Sequence, residues 1–141
     1  MGLTKATNRM TSGAVLNVLD FGAVADGDWA GGVATGTDNS AAFTAALTAA
    51  TTQKISKVYV PSGSYKLVTG IELPHGITME GDGTAHQVLY AGNTIRNGSV
   101  LLVEGAVGGD CVKFKENSGH NGLRNISIYQ VCKFGYTIRY F

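Results

Sequence analysis

Charged side chains are scarce in this sequence. Asp, Glu, Lys and Arg make up 15% of its 141 residues, compared with about a quarter in an average globular domain. The basic and acidic residues nearly cancel, which leaves a formal net charge of +1, and Lys and Arg stand singly instead of in runs. A chain of this kind has no electrostatic field that would attract nucleic acid or an anionic membrane surface. We therefore expect neither as a partner.

Long apolar runs and cysteine clusters are also absent from the sequence. No segment approaches the roughly 18 apolar residues that a membrane-spanning helix requires, and the opening residues MGLTKATNRMTSG are not followed by the apolar core of a secretion signal. We therefore expect no membrane insertion, and synthesis in a cytoplasm. In that compartment the two cysteines, Cys111 and Cys132, are expected to be free buried thiols. Because there is no metal-ligand spacing, phosphate-binding loop or nucleophile triad, the sequence predicts no metal and no cofactor.

Glycine, in contrast, is abundant, with 20 residues. Because each glycine loses much backbone freedom in a helix, this composition favours short strands joined by turns. The first such turn is DFGAVADG, residues 20–27, which follows the apolar stretch VLNVL that we predict as a strand. Gly22 and Gly27 occupy turn positions in this segment. The carboxylates of Asp20 and Asp26 are expected to accept backbone N–H groups there.

One segment has the periodicity of a helix. In TDNSAAFTAALTAATTQ, residues 37–53, either Thr37 or Asp38 offers a side-chain oxygen to the free N–H groups of the first turn. Asp38 also lies at the positive end of the helix dipole. Residues spaced three or four apart form one apolar face: Ala42, Phe43, Ala46, Leu47 and Ala50. A helix with so narrow a face must lie on another apolar surface.

The sequence after Lys54 contains short apolar segments separated by Gly, Pro and Asn. KVYV, ITME, SVLLV and NISIY begin at residues 57, 77, 99 and 125, and YKLV, QVLY, CVKFK and YTIRYF begin at residues 65, 87, 111 and 136. Each series recurs at about 20–26 residues, which is typical of a solenoid. We predict an all-β fold, a parallel β-helix in which the members of each series stack on one another. A β-sandwich with similarly spaced strands is the alternative. In the β-helix, alternation directs four pairs of side chains inward: Val58 and Val60, Ile77 and Met79, Val100 and Leu102, and Ile126 and Ile128.

The helix has a natural place in such a solenoid. The first coil has an open end with unpaired backbone groups, and a small-residue amphipathic helix directly before it is suited to cover that end. We therefore divide the chain into an N-terminal arm (1–14), a capping strand, turn and helix (15–56), and the first coils of a β-helix (57–141), with the last coil expected to be incomplete. The residues of the cap motif are Asp20, Phe21, Gly22, Asp26, Gly27, Asp38, Phe43 and Leu47.

Four segments carry a family resemblance. LNVLDFGAVADG, TDNSAAFTAAL, KVYVPSGSYKL and IELPHGITMEGDG follow one another over residues 15–83. Together they resemble the N-terminal part of the pectate-lyase-like right-handed parallel β-helix superfamily, and within it the bacteriophage tailspike and tail-fibre proteins. The resemblance implies a right-handed β-helix with an N-terminal capping α-helix. It is specific for the fold and not for an activity, because these segments belong to the cap and the first coils.

The resemblance also implies a biological setting. Proteins of this kind are usually homotrimers, and many bind or degrade bacterial surface polysaccharide. We therefore expect a virion protein of a phage tail, made in the host cytoplasm, that associates with itself, recognises host glycan and contacts other tail proteins through the arm (1–14). A structural and adhesive role is our first hypothesis. The alternative is a polysaccharide lyase or glycoside hydrolase with its active site on later coils.

Three residues are candidates for glycan cleavage. Glu80 and Asp82 lie in MEGDG, at a strand end beside glycines that let a ligand approach, and a hydrolase needs two carboxylates about 5–9.5 Å apart. His120 lies in SGHNGLRN, which is loosely similar to a polygalacturonase signature, although the acidic motifs that should precede it are missing. Each candidate also has a purely structural explanation, because Asp-Gly is a common turn and a loop histidine is commonly solvated.

Late aromatic residues are candidates for glycan binding. On an exposed flank they would stack on sugar rings, whereas buried they would belong to the core or to a subunit interface. The candidates are Tyr129, Tyr136 and Tyr140.

Overall fold

The computed structural model describes residues 14–30, 33–84, 98–104, 112–115 and 119–131. Before the coils come strand β1 (Leu16–Asn17), the hairpin strands β2 (Asp28–Ala30) and β3 (Val33–Thr35), and helix α1 (Ser40–Gln53). Coil 1 contains β4 (Lys57–Val60), β5 (Gly63–Leu67) and β6 (Ile71–Leu73). Coil 2 contains β7 (Thr78–Gly81), β8 (Ser99–Glu104) and β9 (Val112–Phe114), and coil 3 contains β10 (Gly122–Arg124) and β11 (Ile126–Val131).

Equivalent strands of successive coils pair in parallel, so that the described coil strands form three sheets. Sheet 1 has the order β1-β4-β7-β10, sheet 2 the order β5-β8-β11, and sheet 3 pairs β6 with β9. Val58 pairs with Met79 in sheet 1, and Tyr65 pairs with Leu101 in sheet 2. This arrangement is a parallel β-helix with an α-helix at its N-terminal end, which confirms the predicted fold class.

The stacking order of the strands differs in part from the predicted one. The first predicted series divides between two sheets: KVYV stacks with ITME in sheet 1, whereas SVLLV stacks with NISIY in sheet 2. The second series is also broken, because YKLV stacks with SVLLV and CVKFK with IEL. In the described ranges, coils 1 and 2 each show three strands instead of two, and the strands of sheet 2 begin at residues 63, 99 and 126, which are 36 and 27 residues apart. Spacing along the sequence therefore does not identify the partners. The segments QVLY and YTIRYF, and also Cys111 and Cys132, lie outside the described residues.

Strand β8 turns the opposite face inward from the one predicted. Leu101 and Val103 belong to the main core cluster, whereas Val100 and Leu102 are fully buried but lie outside that cluster. The hairpin strand β3, with its buried Ala34, contacts β8. Because SVLLV is apolar at every position after the serine, alternation does not determine which face is inward.

Helix α1 closes the N-terminal end of the core. All five residues of its predicted apolar face are buried, and Phe43 and Leu47 belong to the same core cluster as Val58 and Leu73. The Phe43 ring meets the Tyr65 ring edge to face, with the centroids 5.5 Å apart, which is a favoured aromatic geometry. Full burial of one such side chain contributes about 1.5–3 kcal/mol to stability. No helix in the described part of the chain is long and apolar enough to cross a membrane.

The cap segments provide hydrogen-bond partners for the backbone groups at the exposed edge of coil 1. Strand β1 pairs with β4 and so covers the edge of sheet 1. In sheet 2 the Gly27 N–H donates to the Ser64 carbonyl and the Asn39 N–H to the Lys66 carbonyl, each at 2.8 Å. Near sheet 3, the Thr69 N–H donates to the Ser40 hydroxyl at 3.1 Å. Backbone groups that would otherwise be unpaired at the end of the solenoid therefore have partners.

The start of the cap is less extended than predicted. Only Leu16–Asn17 of VLNVL forms a strand, and Val18–Phe21 forms a 3₁₀ helix. The Asn17 side chain accepts the Leu19 N–H at 2.9 Å, which begins this turn. Gly22 ends it with φ +93°, a left-handed conformation that glycine adopts without steric penalty. Asp20 is exposed, and Phe21 packs against the core.

Helix α1 begins one or two residues later than predicted. Its N-cap position is Asn39, not Thr37 or Asp38. Asp38 nevertheless accepts the Ser40 N–H at 3.0 Å and the Ser40 hydroxyl at 2.6 Å. Thr37 donates from its N–H and its hydroxyl to the Asp26 carboxylate at 2.9 and 2.7 Å. The two residues proposed as caps therefore tie the cap loop together.

Two glycines in sheet 1 provide a matched test of coil stacking. A Cβ at Gly81 would collide with the Asn125 carbonyl oxygen and would lie 2.6 Å from the Ser99 Cβ, whereas one at Gly122 would meet nothing within 4 Å. We expect Gly81→Ala to lower the free energy of unfolding by about 1–3 kcal/mol, because tightly packed backbone must move. Gly122→Ala should leave it unchanged or raise it by up to about 1 kcal/mol. Urea unfolding of both variants measures this, and equal effects would contradict the close corner.

Candidate functional site

The outer face of sheet 1 carries a row of polar and charged side chains across three coils. The alternate residues Val58, Val60 and Met79 are fully buried, so that their neighbours along each strand point outward. In register, Tyr59 of coil 1 lies beside Glu80 of coil 2, which lies beside Arg124 of coil 3. Asp82 follows β7 at the corner of the coil. We call this row together with Asp82 the outer strip, and its residues are Lys57, Tyr59, Glu80, Asp82 and Arg124.

Asp82 joins the corners of coils 1 and 2. Its two carboxylate oxygens both accept the Tyr59 hydroxyl at 2.6 Å. The Ser62 N–H donates to the same carboxylate at 2.9 Å, and the Ser62 hydroxyl lies 3.3 Å from it. These donors come from coil 1, so that Asp82 fixes one coil against the next.

The backbone beneath Asp82 is equally constrained. The hydroxyl of Ser99, a fully buried residue, donates to the Val60 carbonyl at 2.7 Å and accepts the Asp82 N–H at 2.9 Å. The Gly83 N–H donates to the Asn125 carbonyl at 3.2 Å, and Asn125 has a left-handed backbone with φ +56°. One polar corner therefore connects all three coils.

Hydrogen bonds keep the Asp82 carboxyl ionised. The Tyr59 hydroxyl makes the largest contribution to lowering the pKa of Asp82 below its ordinary value, and the Ser62 N–H and hydroxyl lower it further. The same contact raises the pKa of Tyr59, because the neutral phenol is the hydrogen-bond donor. Asp82 is thus held as an anion, and Tyr59 as a neutral donor.

Glu80 is held as an anion by a different partner. Its Oε2 lies 2.9 Å from the Lys57 Nζ. The hydrogen bond from Lys57 lowers the pKa of Glu80 most, and the charges of Lys57 and Arg124 lower it further, against a smaller opposing effect of desolvation. The side chains of this pair remain partly exposed, at 43% for Lys57 and 26% for Glu80.

The chemistry of the outer strip follows from these two anions. A glycoside hydrolase requires one carboxyl group with a raised pKa to protonate the leaving group, and neither Glu80 nor Asp82 meets that requirement. The strip instead presents fixed charges, hydrogen-bond donors and an aromatic ring, which suits binding better than acid catalysis. Within the described ranges, no group of three or more His, Cys, Asp or Glu side chains could hold a metal ion.

His120 lies at a different corner from the two acidic candidates. It is exposed and has a left-handed backbone with φ +61°. Because Thr78 pairs with Gly122, His120 corresponds to Gly76 of the preceding coil, which has φ +70°. Glu80 lies four residues after Gly76, which is a distance of about 13 Å along an extended strand. The structure therefore does not bring the three catalytic candidates together.

One of the three tyrosine candidates for glycan binding lies in the described part of the chain. Tyr129 is only 7% exposed and lies beside Leu102 in sheet 2. The structure therefore places Tyr129 in a buried layer and not on an exposed flank. Tyr136 and Tyr140 lie outside the described residues.

Sequence reasoning missed the partners that define the site. Tyr59 and Ser62 precede Asp82 by 23 and 20 positions. These separations are about one coil of a solenoid. Polar residues one coil apart would have been the signal, but it becomes usable only when the strand register is known.

The pH dependence of stability tests the role of Asp82. A carboxyl whose pKa is lowered by folding stabilises the fold above its unfolded pKa of about 3.9, and this contribution is lost as the pH falls through the folded pKa. We expect Asp82→Asn to lower the melting temperature at pH 7 and to flatten its decrease between about pH 5 and pH 2. Asp20→Asn, at an exposed position, is the control and should keep the parent profile. An unchanged acid profile in Asp82→Asn would contradict the corner geometry.

Comparisons with known proteins agree with this architecture. The model of the family described as rhamnogalacturonase A/epimerase, pectate lyase-like, matches residues 15–136. The A-modules of the mannuronan C-5 epimerases AlgE4 and AlgE6 of Azotobacter vinelandii share the fold, with TM-scores of 0.57 and 0.56 and sequence identities of 24% and 21%. They cover 81% and 87% of this chain, which covers 28% and 34% of theirs.

A curated relative is similar over about half of this chain. The capsule K3-specific depolymerase 1 of Klebsiella phage KP32 is 40% identical over 77 residues, which are 53% of this chain and 9% of that protein. The match therefore spans less than a tenth of the relative. Because the family model covers most of the chain and the strands stack as a parallel β-helix, the chain belongs to the pectate-lyase-like family of right-handed parallel β-helix proteins.

Proposed function

We propose that this chain forms the capped N-terminal start of a phage tail protein that acts on bacterial surface polysaccharide. The observation that carries the proposal is the 40% identity to the capsule depolymerase of a Klebsiella phage. The presence of a complete cap over coil 1 supports it, because a cap marks the beginning of a β-helix.

In this proposal the chain itself has a structural and adhesive role. It seals the first coil and provides a rigid base on which later coils stack. Glu80 and Asp82 support this assignment, because both are held as anions by neighbouring side chains and neither is suited to donate a proton. Polysaccharide cleavage, by a lyase or a hydrolase, is the second candidate function, and it is favoured by the name of the phage relative. We assign it to later coils.

We extend the proposal to assembly and location. The protein forms a homotrimer, is incorporated in the virion after synthesis in the host cytoplasm, and contacts other tail proteins through the arm (1–14). The family resemblance supports these points.

Sedimentation equilibrium of the purified full-length protein should give three times the chain mass, and a strict monomer would contradict the trimer.

Detection in purified virions tests the proposed function most directly. We expect antibodies against this chain to label phage tails in immunogold electron microscopy, and mass spectrometry of purified particles to find its peptides. Particles of an unrelated phage grown in the same host are the control. If the protein is absent from the particles of its own phage, the proposal fails.

An activity assay separates the two candidate functions. The purified chain is incubated with host capsular polysaccharide, and new reducing ends and unsaturated uronates are measured. We expect neither product from this chain, because no described carboxyl of the outer strip is available as the general acid of a hydrolase, and the proposal assigns the base of a lyase to later coils. Release of either product would assign catalysis to the chain itself and overturn the structural role.

A further inference from the structure

A second polar surface lies at the corner between sheet 3 and sheet 1, away from the polar corner around Asp82. His75 and His120 lie in the turns that lead into β7 and β10, and Lys113 and Lys115 lie in and directly after β9. All four residues are exposed. We call these four residues the basic corner.

Backbone contacts link the two turns and the end of β9. The Leu73 carbonyl accepts the Lys115 N–H at 3.1 Å and the Asn121 side-chain amide at 3.4 Å. The Gly76 N–H donates to the Gly119 carbonyl at 3.3 Å, which links the turn of His75 to the turn of His120. The two turns therefore stack as neighbouring coils, about 4.8 Å apart, with Lys115 beside them.

The lysines of the basic corner differ in their ion pairs from two other lysines of the chain. Lys57 and Lys66 form ion pairs with Glu80 and Glu104 at 2.9 and 3.7 Å. Among the residues that the structure describes, Lys113 and Lys115 form no ion pair. Among the described acids, Glu72 is the register partner of Lys113, and it is exposed to solvent.

We propose that the basic corner binds an acidic polysaccharide. The inference rests on the proposed function for the choice of polysaccharide, and it adds the charge of the ligand and the place where it binds. Two lysine ammonium groups attract carboxylates as compact point charges, and the imidazoles add hydrogen-bond donors for carboxylate or hydroxyl oxygens. Because the four residues belong to two neighbouring coils, we expect them to contact neighbouring sugar units of one polysaccharide chain.

Charge density favours a polysaccharide over a nucleic acid as the ligand. Duplex DNA carries one phosphate charge per about 1.7 Å of axis and is bound by proteins with many basic contacts. This chain has a formal net charge of only +1, and the basic corner contains two lysines. A ligand whose single charges are more widely spaced than the phosphates of DNA matches a site with two lysines.

Binding of defined probes tests the inference. Isothermal titration calorimetry of the full chain compares oligogalacturonate, neutral maltohexaose and a 12-base-pair DNA duplex. We expect binding to oligogalacturonate alone, and weaker binding as the salt concentration rises. Lys115→Gln should weaken it about two- to fivefold and the Lys113→Gln/Lys115→Gln double variant about tenfold. Lys54→Gln, which removes one exposed charge beside the helix end, is the control and should bind as the parent does.

The outcomes of this experiment are distinct. Equal binding of maltohexaose, tighter binding of the duplex, or full binding by the double variant with an unchanged melting temperature would each overturn the inference. Detection of the protein in virions together with any of these results would reject the basic corner and leave the proposed function standing. Oligogalacturonate binding that is lost in the double variant but kept in Lys54→Gln supports the site whether or not the virion assignment holds.

Discussion

The structure depends on pairing the backbone groups at the open N-terminal end of a stack of parallel strands. An unpaired strand edge is a site for aggregation, and buried unpaired carbonyl groups are energetically costly. In this protein β1 pairs with β4, and the N–H groups of Gly27 and Asn39 reach the Ser64 and Lys66 carbonyls of β5. The Asn39 side chain also holds the Val24 backbone, at 2.7 Å to its N–H and 2.9 Å to its carbonyl. The turn that precedes the helix is therefore part of the seal.

The polar surfaces of the protein follow from this stacking. Once the first coil is placed, register puts each outward residue beside its counterpart one coil away. The Tyr59 hydroxyl then reaches the Asp82 carboxylate, and Lys57 reaches Glu80. The same repetition stacks the turns of His75 and His120 at another corner. The two surfaces differ because the acids of the first are hydrogen-bonded or ion-paired to neighbouring donors, whereas the lysines of the second form no ion pair among the described residues.

Local patterns in the sequence predicted the helix and the solenoid, but not the contacts between coils. The spacing of Phe43 and Leu47 determines a buried helix face by itself, because residues three and four apart share a side of any helix. The inward face of SVLLV cannot be read in this way, since both of its faces are apolar and Leu101, not Leu102, enters the main core. The contact of Tyr59 with Asp82 likewise depends on which strands stack, and the unequal coil lengths conceal that from the sequence.

Hydrogen exchange of the intact chain, measured by NMR at pH 7, tests the central claim most directly. If the cap and coil 1 form one cooperative unit, the amides of Gly27 and Asn39 will exchange with the same free energy of opening as the amides of strand β5. If the amides of Gly27 and Asn39 exchange at a clearly lower free energy while β5 stays protected, coil 1 is stable without its seal, and the fold does not depend on the pairing of its N-terminal edge.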